Sequence, residues 1–76
     1  MTIKLTSPQL RGARAMLNWT VRDLASRTDV HRNTISAFEN GKTEPNSATL
    51  QVLRRALEAA GVEFTNGEQP GVRLKK

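Results

Sequence analysis

Arg32, Asn33 and Ser36 lie close together in the segment HRNTISAFENG, residues 31–41. Their side chains are a guanidinium fork of donors, a carboxamide with a donor beside an acceptor, and a hydroxyl that does either. The fork matches O6 and N7 of guanine, and the carboxamide matches N6 and N7 of adenine. Such a set on the exposed side of one helix can read base edges in a DNA major groove. Each good bidentate pair contributes about 1–3 kcal/mol of discrimination. Arg32 is read equally as a base reader or as a phosphate contact. Ser36 either reaches a base edge or phosphate or acts as a small spacer. Asn33 is otherwise a surface polar residue, and Ala37 either packs its methyl on thymine or is passive.

Other chemistries find little support. The chain of 76 residues has no cysteine, so disulfides and thiolate zinc sites are excluded, and His31 is its single histidine. No paired acids, thiol–imidazole pair or metal constellation has recognisable spacing. The expectation is a protein that is not an enzyme and takes no cofactor, metal or evident small-molecule ligand. Net charge is +5 and the pI about 10.8, which suits polyanions but is also an ordinary charge for a small soluble domain. No apolar run reaches membrane-spanning length. MTIKLTSPQL lacks the apolar region of a secretory leader, so cytoplasmic residence is expected.

The elements that must position these residues follow from period and punctuation. Residues 1–7 form an arm or short strand, with Ile3 and Leu5 alternating against polar neighbours. Ser7 followed by Pro8 reads as a cap and first helical residue. Leu10, Ala13, Met16 and Leu17 then predict a helix over about 8–18. Thr20-Val21-Arg22-Asp23 reads as a capping box, opening a helix to about Arg27 with Leu24 and Ala25 facing inward. Thr28-Asp29-Val30 is a turn. Val30 is its buried plug, and Asp29 tolerates a left-handed conformation. A third helix from His31 or Arg32 to Glu39 is anchored by Ile35 and Phe38. Asn40-Gly41 stops it, with Gly41 left-handed. Ser47 is read as the cap of a last helix over 48–60, with Leu50, Leu53, Leu57 and Ala60 on one stripe.

Trp19, ahead of a capped helix, reads as core or half-buried support, because base stacking would require interleaved aromatics. Phosphate anchoring is expected from the free amides around Thr20 and Val21, from Arg22, and from Asn40, Lys42 and Thr43 after the third helix. His31 is read as a cap or phosphate neighbour. Arg11 and Arg27 are read as solvated.

The segment Leu10 to Leu57 resembles the helix-turn-helix domain of phage repressor and Cro-type regulators, the XRE family. The similarity is carried by LRGARAMLNWT, DLASRTDV, HRNTISAFENGK and TLQVLRRALEAAG, in that order. The resemblance implies an all-α fold, a compact four- to five-helix DNA-binding domain over 8–61, that binds operator DNA, commonly as a dimer. It implies that Arg14 and Glu39 pair across the first and third helices, and that Leu24, Ala25, Val30 and Ile35 set the angle between the motif helices. The chain departs from the family at three points. Val21 stands where a phosphate-binding glutamine is usual, Asp29 replaces a glycine, and His31 replaces a serine cap.

Residues 62–76 are read as a tail that either forms a short β hairpin or packs Phe64 over the helices irregularly. One recognition helix makes few base contacts, so a homodimer on a palindromic operator is expected. Val62, Phe64, Val72 and Leu74 are its candidate contacts. The alternative for these four is pairing or capping within one chain. Arg73, Lys75 and Lys76 reach flanking phosphates or remain solvated. The competing function is a protein-binding regulatory module, such as an antitoxin or phage-regulatory partner, with weak or no specific DNA binding.

Overall fold

The computed structural model describes residues 5–66 and 70–74. Ile3, Lys75 and Lys76 therefore lie outside the described residues. Four helices, α1 (Ser7–Met16), α2 (Val21–Thr28), α3 (Arg32–Glu39) and α4 (Ser47–Ala59), precede two strands, β1 (Val62–Asn66) and β2 (Pro70–Leu74).

Capping shifts two helix starts relative to expectation. α1 is capped by Thr6, not Ser7, in a reciprocal box: Gln9 N–H donates to Thr6 Oγ1 at 3.3 Å, and Thr6 N–H donates to Gln9 Oε1 at 3.0 Å. Threonine followed three residues later by glutamine satisfies two orphan amides at once, which Ser7 cannot match. Ser7 instead donates its hydroxyl to the Phe38 carbonyl at 2.7 Å, tying the start of α1 to the end of α3. α4 is capped by Asn46, whose Oδ1 accepts from Thr49 N–H at 2.8 Å, so Ser47 is its first residue rather than its cap. The expected Thr20–Asp23 box is present at α2.

Helix ends follow left-handed residues. α1 stops at Met16 because Asn18 turns left-handed (φ 57°), letting Trp19 N–H reach back to the Arg14 carbonyl and Asn18 N–H to that of Ala15. This closure of the last carbonyls is the Schellman pattern. Asp29 (φ 59°) ends α2, and Gly41 (φ 73°) follows α3, both as expected.

Leu10, Leu24, Ile35, Leu53 and Leu57 are fully buried, and Ala13, Phe38 and Leu50 complete the helical part of the core. Ala25, Val30 and Trp19 are half-buried against it. Met16 departs from its expected inward position and is 41% exposed. It lies about 100° around the helix from Leu17, off the covered stripe.

β1 and β2 pair antiparallel, with Val62 opposite Leu74, Glu63 opposite Arg73 and Phe64 opposite Val72. The tail is thus a hairpin. Alternation turns Val62 and Phe64 into the same core as the helices (3% and 9% exposed), and puts the Glu63–Arg73 ion pair on the other face. β2 lies on α1, and β1 on α4. Leu5 joins this core at 3% exposure with no strand assigned to it. Gln9 locks the hairpin in place: its Nε2 donates to the carbonyls of Thr65 and Gly71, each at 3.2 Å.

Candidate nucleic-acid interface

α3 is divided sharply between its two sides. Ile35, Phe38 and Glu39 are buried, whereas Arg32 and Asn33 in its first turn are exposed; Ser36 and Ala37 are half-buried between them. The inner side is fixed by packing and by a charged clamp. Glu39 accepts from Arg14 Nε and Nη2, each at 2.8 Å, and Arg14 Nη1 also donates to the Trp19 carbonyl at 2.9 Å. The Glu39 hydrogen bond is the largest influence on Arg14 and raises its pKa further above the ordinary value. The expected Arg14–Glu39 pair is therefore present, and it also anchors the chain entering α2.

The start of α3 is set by His31. Its Nδ1 accepts from Asn33 N–H at 3.0 Å. An imidazole that accepts at Nδ1 carries its proton on Nε2, so His31 is at once a cap and a donor. Asp29, left-handed, makes the turn that aims α3 away from α2.

At α2 the capping box limits what the backbone offers. Thr20 N–H goes to Asp23 Oδ2 at 2.9 Å, and Asp23 N–H goes to Thr20 Oγ1 at 3.1 Å. The amides of Val21 and Arg22 remain for an anion. The Val21 side chain packs against the core, which leaves only its backbone to offer. Arg22 is exposed one position on, and Asn40, Lys42 and Thr43 are exposed after α3.

An open recess of about 480 Å³ lies between α2 and α3, lined among others by Arg22, Ser26, Asp29, His31 and Arg32. It joins three residues the sequence placed separately: Arg22 as a phosphate contact, His31 as a cap or phosphate neighbour, and Arg32 as a reader or phosphate contact. Ser26 was missed. Its signal is the four-residue spacing from Arg22, which puts both on one side of α2.

Arg27 also differs from the solvated residue expected. It is exposed, but its guanidinium lies 4.2 Å from the centroid of the Trp19 ring, a cation–π contact that covers the half-buried indole. The four apolar residues offered for dimer contact do not share one environment. Val62 and Phe64 are inside the chain's own core, Val72 is half-buried against α1, and Leu74 is 49% exposed.

Comparison with known proteins bears on this geometry. No curated protein matches the chain. A helix-turn-helix family model matches residues 10–64, which runs from Leu10 in α1 through the whole motif to Phe64 in β1. That domain type is consistent with DNA binding in a regulatory role. With its two motif helices, their left-handed turn and most of its length covered by the match, the chain belongs to the helix-turn-helix family.

Proposed function

We propose that this protein is a sequence-specific, double-stranded DNA-binding transcriptional regulator of the phage repressor and Cro type, with α3 entering the major groove. The observation that carries the reading is the division of α3: Arg32 and Asn33 are exposed on its first turn while the opposite side is held by Ile35, Phe38 and the Arg14–Glu39 clamp. Asn33 is the reader for adenine, Ser36 lies next along the groove, and Ala37 offers a methyl to thymine. Lys42, Thr43 and the amides of Val21 and Arg22 take flanking phosphates. Two copies on a palindromic operator place their recognition helices one DNA turn apart, about 34–36 Å. In such a homodimer Leu74 is the hairpin residue with apolar surface to give, since Val62 and Phe64 are occupied internally.

A protein-binding regulatory module is the second reading. It is favoured by Val21, whose side chain is turned inward, and by Asp29, which adds a carboxylate beside the start of α3. Titration with random duplex at two salt concentrations separates the two. Regulators of the proposed kind bind at low salt and weaken steeply as salt rises; absence of binding at low salt discards the DNA reading. Selection from a random duplex library then tests specificity and symmetry together, with a palindromic consensus as the expected result.

A further inference from the structure

We infer that Arg32 is not a base reader but half of a phosphate clamp: with Arg22 it grips one DNA backbone phosphate in the recess between α2 and α3. The inference rests on the DNA-binding reading above and reassigns one residue within it. Arg32 lines the recess together with Arg22 and Ser26 of α2, which puts it at one opening with these two residues. Asn33 does not line the recess, and successive helical residues point about 100° apart, which leaves Asn33 directed toward the groove. Among the described residues, Arg14, Arg54 and Arg73 are engaged in ion pairs, whereas Arg22 and Arg32 are not.

The charge and donors of the walls favour an anionic acceptor. Two guanidinium forks, the Ser26 hydroxyl and the Nε2 proton left on His31 by its cap are all donors. Phosphate oxygens only accept and, unlike O6 and N7 of guanine, carry negative charge. Among the described residues that line this recess Asp29 is the one carboxylate, so the two guanidinium charges exceed it. A bound phosphodiester offsets their mutual repulsion and takes charge-assisted hydrogen bonds from both.

The test compares wild type, R22A, R32A, R32K and R22A/R32A on the selected operator and on random duplex across a salt series. R32A should weaken both duplexes by the same factor, lower the salt slope by about one, and return the wild-type consensus on renewed selection. R32K should recover the slope, because it keeps the charge. The double variant should lose less than the product of the single losses, because both side chains hold one phosphate. A consensus relaxed at one position in R32A, or fully multiplicative losses, overturns the clamp while leaving DNA binding intact. Wild type that ignores duplex at low salt overturns both.

Discussion

Arg14 and Glu39 meet as a parallel fork, Nε to Oε2 and Nη2 to Oε1, each at 2.8 Å, joining α1 to the last turn of α3. Glu39 is 7% exposed, so its carboxylate depends on this partner. R14A should cost about 2–3 kcal/mol in urea unfolding, since it strands a buried charge. R14M/E39M should cost less than R14A, because removing both charges avoids that penalty. An R14A protein as stable as wild type would contradict the clamp.

Gln9 completes the α1 cap and ties the hairpin through Thr65 and Gly71. Q9A removes both functions and leaves the Thr65 and Gly71 carbonyls without this donor. A loss of about 1–3 kcal/mol is expected, together with faster amide exchange in β1 and β2. Unchanged exchange in the hairpin would show that it is held by apolar packing alone.

A Cβ on Gly12 would stand 3.0 Å from Val72 Cγ2, where β2 crosses α1. G12A gains about 1 kcal/mol of helix propensity but must displace Val72, and overpacking costs about 1–3 kcal/mol. The substitution should destabilise wild type and stabilise a V72A background. Thermal unfolding of the four proteins in that cycle checks the reversal of sign.

Asp23 is held below the ordinary carboxylate pKa, first by the hydrogen bond from Thr20 N–H and then by the Thr20 side chain. A lowered folded-state value means that Asp23 stabilises fully above its unfolded pKa and loses that contribution as pH falls through the folded one. The stability gap between wild type and D23A should therefore be constant near neutrality and close below the ordinary carboxylate range. A gap that widens on acidification would refute the sign.

Asn33 and Lys42 should separate by readout. N33A should relax one adenine position in the selected consensus, whereas K42A should weaken all duplexes alike and lower the salt slope by about one. Uniform weakening by N33A would remove it as a reader.

Most of the architecture was legible in local sequence, because its causes are local. Leu24, Ile35, Phe38, Leu53 and Leu57 repeat at helical spacing, the Thr20–Asp23 box announces α2, and Gly41 stops α3. Even so, Thr6 and Asn46 took the caps assigned to Ser7 and Ser47, because neighbouring residues of similar chemistry compete for one amide and geometry selects between them. The exposure of Arg32 and Asn33 was legible too, since α3 has a single apolar side. What the sequence could not determine is which distant groups meet. Gln9 reaching Thr65 and Gly71, Gly12 under Val72, and Arg27 stacked on Trp19 each join segments whose spacing carries no common signal. The same holds for Arg22 and Arg32, ten positions apart, which only the angle between α2 and α3 brings to one recess. Periodicity dictated the helices and the side they bury; the left-handed turn at Asp29 and the packing of α2 on α3 decided which charges face each other.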